Sequence, residues 1–113
     1  MGELDAAEAR DMLRGRHVGR LGYGGDPTSV VSVKYSAGEP DHVHVQTADA
    51  LCGALAQQQA PVRFEVDDVD GPARWSTVIG WGFFEKPTGG ADEGSGYRIR
   101  VTDLRGFYRG ARR

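Results

Sequence analysis

PVRFEVDD, residues 61–68, opens the stretch that decides the fold, and WSTVIGWGFFEK, residues 75–86, closes it. In the first segment Val62, Phe64 and Val66 alternate with polar residues, so the apolar side chains share one face. Alternation of this kind is typical of a strand with one buried side. The residues between the segments, 69–74, contain a Gly-Pro pair that favours a turn. The two segments together predict a central β-hairpin.

The second segment of this hairpin is apolar on both faces. One face carries Trp75, Thr77, Ile79, Trp81 and Phe83, and the other carries Val78 and Phe84. A strand that is apolar on both sides is buried on both sides. We predict that the Ile79 face packs with Phe64 in the interior. On the other face Gly80 and Gly82 leave bare backbone, so we predict that a ligand or a second subunit approaches there.

Length and composition indicate one domain over residues 1–113. The formal net charge of −2 argues against bulk electrostatic binding to nucleic acid, and an OB-like nucleic-acid barrel is disfavoured for the same reason. The one cysteine, Cys52, allows no internal disulfide and indicates a reducing compartment. The polar N-terminus does not resemble a secretory signal, and no apolar run approaches the length of a membrane span. The sequence therefore predicts a soluble, cytoplasmic protein with no membrane partner.

The remaining elements are short. The patterns predict helices over 4–14, capped by Asp5 with Glu8, and over 48–59, with Cys52 on a buried face. They predict strands over 17–23, 28–36, 42–47 and 97–102, and an extension of the last strand over 104–108. Residues 87–96 are predicted to form a flexible loop, and 109–113 a frayed tail. Consecutive strands joined by short turns favour an antiparallel sheet closed as a barrel, which removes its own edges.

In this order the segments resemble the pyridoxamine 5′-phosphate oxidase-like family, the flavin-binding split β-barrel proteins. The segments that carry the resemblance are VGRLGY at 18–23, VVSVKY at 30–35, VHVQTA at 43–48, FEVDD at 64–68 with WSTVIGWG at 75–82, and YRIR at 97–100. The resemblance implies a mainly β fold. That fold is a small antiparallel split β-barrel of Greek-key type, with six or seven strands and two short helices.

The resemblance also implies a homodimer that holds FMN at the subunit interface, with a deazaflavin or haem as alternatives. It implies a flavoprotein, and flavin-dependent oxidoreductase activity on an unknown substrate, because the ring system of a flavin carries the redox chemistry. No catalytic side chain and no metal ligand is assigned. The residues implied to contact the cofactor are Val31, Ser32, Val33, Lys34, Thr47, Asp49, Ala50, Arg63, Trp75 and Ser76.

The chain departs from this family at the phosphate-binding corner. Members have a serine and a lysine at the start of the helix, where this chain has Asp49 and Ala50. A carboxylate repels a phosphate, so the departure predicts weak FMN binding in the usual manner. Lys34, Arg20 and Arg63 are alternative cations for the phosphate. The second hypothesis is therefore a non-catalytic dimeric binding protein that kept the barrel and lost the flavin phosphate site.

Three other patterns each allow two interpretations. His42 and His44 share a strand face, as a metal pair would, but an exposed strand explains them equally well. Residues 67–71, DDVDG, have the acidity of a calcium loop without its spacing, which favours a solvated turn. Arg98 and Arg100 form either an anion-binding fork or a pair of solvent-facing strand residues.

Overall fold

The computed structural model describes residues 2–23, 30–39, 41–47, 50–69, 71, 73–86 and 96–110. Within these residues the chain forms two helices and seven strands. In chain order they are β1 (Gly2–Leu4), α1 (Ala6–Arg14), β2 (Val18–Tyr23), β3 (Val30–Glu39), β4 (His42–Gln46), α2 (Ala50–Gln57), β5 (Pro61–Val69), β6 (Trp75–Glu85) and β7 (Gly96–Arg109). Neither helix is long and apolar enough to cross a membrane.

Six of the strands close into an antiparallel barrel. Their order is β7-β4-β3-β2-β5-β6, and pairing of β6 with β7 completes the circle. The short strand β1 lies outside this circle and pairs with the C-terminal half of β7. The predicted antiparallel split β-barrel is confirmed. Strand β1 was not predicted, because three residues are too few to show a periodicity.

The barrel interior is filled from the alternating apolar positions. Strands β2, β3, β4, β5 and β7 contribute the buried side chains Leu21, Val33, Tyr35, Val43, Val45, Val62, Phe64, Val66, Tyr97 and Ile99. The ring of Phe64 meets Tyr35 edge to face, with their centroids 4.8 Å apart. Phe64 is therefore buried as predicted.

The prediction for the two faces of β6 is wrong. The register pairs Phe64 with Gly80 and Val66 with Val78, and directly opposed residues of an antiparallel pair share a face. Val78 and Phe84 are consequently buried inside the barrel, each with 0% of its surface exposed. Ile79 pairs with Glu65 on the outer face and is half-buried. The face with the bare glycine backbone points inward.

The glycines are needed on this face because β7 approaches β6 very closely at the barrel corner. A Cβ atom on Gly82 would lie 2.1 Å from the carbonyl oxygen of Arg100, so no side chain fits there. The register of β6 and β7 shifts between Trp81 and Gly82, which marks an irregularity at this corner. The glycines thus permit contact between two strands of one chain. They do not create room for a ligand or a second subunit.

The two helices pack against the barrel. Asp5 and Glu8 form the predicted capping box at the start of α1, with Glu8 N donating to Asp5 Oδ1 at 2.8 Å and Asp5 N donating to Glu8 Oε1 at 3.0 Å. At the other end of α1 the buried hydroxyl of Tyr35 donates to the carbonyl oxygen of Leu13 at 2.5 Å. This bond satisfies one of the carbonyls that a helix end leaves without an intrahelical partner. Helix α2 adds Cys52, 1% exposed, to the core.

Strand β7 is longer than predicted. It runs without a break through the predicted extension, and Arg109, assigned to the tail, pairs with Trp75. Gly96, assigned to the preceding loop, is its first residue. Residues 87–95 of that loop and 111–113 of the tail lie outside the described residues.

Candidate functional site

A cleft of about 320 Å³ lies on the outer surface of β2, β3 and β4. The residues that line it are His17, Val18, Lys34, Tyr35, Ser36, His44 and Gln46. Its floor is set by the strand register, which places Lys34 opposite both Val18 and Gln46, and Ser36 opposite His44. The cleft combines an exposed apolar side chain with amide, hydroxyl, imidazole and ammonium groups, which is the composition that orients a small ligand.

Lys34 is the cation of this cleft. Its side chain faces outward from β3, and within the described residues it forms no hydrogen bond and no ion pair. An ammonium group in this state can bind an anion without first giving up another partner. Lys34 is therefore the cleft residue best suited to a phosphate.

The two other cations proposed from the sequence already have carboxylate partners. Arg20 donates to the carboxylates of Asp67 and Glu65, and the hydrogen bond to Asp67 is the main cause that raises the pKa of Arg20 above its usual value. Arg63 Nε lies 3.4 Å from Glu65 Oε1, and this buried nitrogen makes no hydrogen bond within the described residues. A phosphate at either arginine would have to compete with a bound carboxylate.

The structure brings only some of the predicted cofactor residues to the cleft. On β3, Lys34 lines the cleft and Ser32 is exposed two residues away on the same outer face. Val31 and Val33 point into the barrel, where Val33 is 3% exposed, so only their backbone can reach the outer side. Pairing of β3 with β4 stops at Lys34 and Gln46, and residues 30–33 therefore run past the end of β4.

The other predicted residues are distributed around the barrel. Thr47 is half-buried and directly follows β4, beside the cleft residue Gln46. Ala50 is the first residue of α2, and Asp49 lies outside the described residues. Arg63 lies on the outer face of β5, opposite Trp81. Trp75 and Ser76 begin β6, where they pair with Val69 and Asp68 at the end of β5, and they do not line the cleft.

Sequence reasoning missed six of the seven residues that line the cleft. They are His17, Val18, Tyr35, Ser36, His44 and Gln46. The alternation of His42, His44 and Gln46 placed them on one face of a strand, but only the register between strands shows that this face continues into Lys34. Among the described residues no group of three His, Cys, Asp or Glu side chains is arranged to hold a metal ion.

A second outer-surface feature is the row of large apolar residues on β6. Trp81 and Phe83 are each 36% exposed, and half-buried Trp75 and Ile79 continue the row along the same face. Phe107 of β7 pairs with Thr77 and widens the row at the end that begins with Trp75. We call Trp75, Ile79, Trp81, Phe83 and Phe107 the aromatic row. Contiguous exposed apolar surface of this kind marks an interaction site more often than it marks bare surface.

The comparison by structure found similar proteins, whereas the comparisons by sequence did not. No family model and no curated protein matches the sequence. The structure is similar to the FAD-binding protein from Mycobacterium smegmatis, with a TM-score of 0.81 and 24% identity over 96% of this chain and 98% of that chain. It is similar to a FAD-binding protein from Mesorhizobium loti, with a TM-score of 0.80 and 18% identity over 96% of this chain and 97% of that chain.

A third similar structure is a candidate pyridoxamine 5′-phosphate oxidase from Corynebacterium glutamicum. Its TM-score is 0.70, with 17% identity over 95% of this chain and 91% of that chain. At these identities the likeness establishes the fold. The chain therefore has the pyridoxamine 5′-phosphate oxidase-like split β-barrel fold that the sequence resemblance implied.

Proposed function

We propose that this protein binds a phosphorylated flavin, FMN or a larger derivative, in the cleft on β2, β3 and β4. The observation that carries the proposal is the ammonium of Lys34, which has no ion-pair partner among the described residues and lies in a cleft of about 320 Å³. Two proteins with the same fold are named as FAD-binding, which supports a flavin over other phosphorylated ligands.

The residues of the cleft fit the parts of a flavin. Lys34 supplies the positive charge for the phosphate, as a point charge on a flexible stem. Val18, 59% exposed, offers an apolar surface for the flat ring system. Ser36 and Gln46 supply donors and acceptors that can orient the polar edge of that ring. A bound flavin would supply the electron transfer of an oxidoreductase, while the chain binds and orients it.

We also propose that the protein acts as a homodimer. The aromatic row is an apolar surface that the single chain leaves partly exposed, and Trp81 and Phe83 are the kind of residue that dominates stable interfaces. In the closed strand order the row on β6 lies across the barrel from the cleft on β2, β3 and β4, so a dimer formed through the row leaves the cleft open.

A non-catalytic binding protein without the flavin phosphate site is the second candidate. The sequence favours it at Asp49 and Ala50, where a carboxylate and a methyl group stand in place of serine and lysine. The two candidates differ in one measurable property. The first binds FMN more tightly than riboflavin, which has no phosphate, whereas the second does not distinguish them.

The test is a titration of the purified protein with FMN and with riboflavin, followed by quenching of flavin fluorescence. Lys34→Gln removes the charge, and Lys86→Gln is the matched control because these are the chain's only two lysines. Lys86 is exposed and its ammonium lies 5.7 Å from the centroid of the Tyr97 ring. A hydrogen bond to a charged group contributes about 1.5–3 kcal/mol, so Lys34→Gln should weaken FMN binding about tenfold or more.

The same change should leave riboflavin binding unaltered, and Lys86→Gln should alter neither affinity. Equal affinities of the unmodified protein for FMN and riboflavin would reject the phosphate role of Lys34 and favour the second candidate. Absence of any flavin binding would reject the flavin function itself.

A further inference from the structure

Four charged side chains flank the aromatic row on the outer face of the sheet, and their signs alternate. We call them the charged rim; they are Arg63 and Glu65 on β5 and Asp103 and Arg105 on β7. At the level of Trp81 the β5 side is basic and the β7 side is acidic, and at the level of Ile79 this order is reversed. An apolar side chain of β6 therefore separates the two opposite charges at each level.

Arg63 and Asp103 have little compensation of their charge within the chain. Asp103 is exposed, and within the described residues its carboxylate accepts one hydrogen bond, from the backbone nitrogen of Leu104 at 3.0 Å. Within the same residues Arg63 contacts a single carboxylate, Glu65, through Nε at 3.4 Å, and its side chain is 40% exposed. At about 4.8 Å per strand, the backbones that carry Arg63 and Asp103 lie roughly 10 Å apart with Trp81 between them. Both groups can therefore take a partner from outside the chain.

A second copy of this chain supplies these partners when the two copies are related by a two-fold axis along β6. Rotation about this axis exchanges the β5 side with the β7 side and leaves the level along the strand unchanged. Arg63 then faces Asp103 of the second copy, and Glu65 faces Arg105. Packed sheets lie about 10 Å apart, a gap that the apolar side chains of the row occupy and that an arginine side chain largely spans. The surface is thus its own complement, which an isologous interface requires.

Other arrangements fit the alternating signs less well. An axis across the strands places β5 on β5, and it brings like charges together wherever it passes at Trp81 or at Ile79. Opposite charges then meet only when the axis lies midway between these two levels. A partner of a single charge sign, such as a nucleic acid or an anionic membrane, is repelled by half of the rim. The alternation therefore favours an identical copy with the axis along β6.

We propose that the aromatic row binds a second copy of this chain across a two-fold axis along β6, and that Arg63 of each copy pairs with Asp103 of the other. This pairing rests on the homodimer proposed above and assigns the residues that orient its two subunits. The apolar row supplies the free energy of association, and the charged rim fixes the orientation.

The experiment measures the dimer dissociation constant by analytical ultracentrifugation, for the full chain and for two variants with one reversed charge each. Arg63→Glu and Asp103→Arg each place two pairs of like charges across the interface. In a mixed dimer with one copy of each variant, both pairs again consist of opposite charges. Asp11→Arg is the matched control, because Asp11 is also an exposed aspartate but lies on α1, outside the row and the rim. Thermal unfolding followed by circular dichroism verifies that each variant is folded.

We expect each reversed-charge variant alone to dimerise about tenfold or more weakly than the unmodified protein, because like charges replace opposite ones. The equimolar mixture should dimerise with the affinity of the unmodified protein, and Asp11→Arg should change nothing. A mixture as weak as its components would refute the axis along β6, since an axis across the strands leaves like charges in the mixed dimer. Unchanged dimers of the single variants would refute the role of the rim.

Two further variants keep the test decisive if a reversed charge prevents folding or if the dimer forms elsewhere. Asp103→Asn removes one exposed charge and should weaken the dimer about twofold or more, because two exposed ion pairs are lost; an unchanged dissociation constant would refute the pairing. If Trp81→Arg gives a monomer while the rim variants remain dimeric, the homodimer stands and the pairing fails. A monomeric unmodified protein would refute the homodimer and the pairing together, and the row would then belong to another occupant.

Discussion

Substitution of Gly82 tests the packing of β6 against β7 most directly. An alanine Cβ at this position would lie 2.1 Å from the carbonyl oxygen of Arg100, 2.8 Å from its carbonyl carbon and 3.0 Å from Cα of Val101. All three atoms belong to the backbone, so no change of rotamer relieves the overlap. Gly80 is the matched control on the same face of the same strand. There the nearest atom is Cδ1 of the Leu104 side chain at 3.4 Å, which is an ordinary contact.

The cost of Gly82→Ala follows from what must move. Overpacking a core by a methyl group costs about 1–3 kcal/mol when side chains can adjust. Here β6 and β7 must separate, and separation lengthens ladder hydrogen bonds that each contribute about 1 kcal/mol. We expect Gly82→Ala to lower the free energy of unfolding by about 3 kcal/mol or more. We expect Gly80→Ala to change it by less than about 1 kcal/mol, because alanine restricts the unfolded chain and offsets a small steric cost.

The assay is urea unfolding followed by the fluorescence of Trp75 and Trp81, with the free energy taken by linear extrapolation. A loss below about 1 kcal/mol in Gly82→Ala would refute the close approach of the two strands. Equal losses in the two variants would refute the argument that Gly82 meets backbone and Gly80 meets a side chain.

Two further predictions concern stability at high pH and assembly. Burial raises the pKa of Tyr35 from 10.0 to about 12, against the smaller opposing effect of Arg16. The unfolded chain therefore loses this proton first, and the stability that the neutral phenol provides is present below pH 10 and is lost as pH rises toward 12. Tyr35→Phe should flatten this decline of stability with pH, and at pH 7 it should lower the free energy of unfolding by about 1–3 kcal/mol because the carbonyl of Leu13 loses its buried partner. Urea unfolding at pH 7 and above pH 10 measures both effects. An unchanged dependence of stability on pH in the variant would contradict the assignment to Tyr35. Light scattering at micromolar concentration should give twice the mass of one chain, and Trp81→Arg, on the exposed aromatic row, should give a folded monomer; a monomeric unmodified protein would contradict the proposed homodimer.

The sequence by itself determined the elements that depend on neighbours along the chain. The capping residues Asp5 and Glu8 fixed the start of α1, since both partners of each hydrogen bond lie within three residues. Strict alternation in β5 fixed which side of that strand is buried, because its other face is polar. Cys52 was predicted to be buried from the apolar face of a short helix. In these cases the physical information is local, so the pattern is sufficient.

Tertiary structure alone decided which face of β6 is inside. Trp75, Ile79, Trp81 and Phe83 offer more apolar surface than Val78, Phe84 and the two glycines, and periodicity along the chain therefore favoured the wrong face. The deciding contact joins Gly82 to the backbone of Arg100, which lies 18 residues further along the chain in the numbering of the sequence. A close approach between two strands cannot be read from the composition of one of them.

The candidate site was likewise predicted in part from the sequence and decided in part by the tertiary structure. The sequence identified Lys34 as a cation for a phosphate, but it also offered Arg63 and, after it, Arg20. Only the pairing of β2 with β5 brings Arg20 to Asp67 and Glu65, and only the pairing of β3 with β4 adds Gln46 and His44 to the surface around Lys34. Charge and residue type are properties of the sequence, whereas availability of a charge depends on which residues the register of the sheet places beside it.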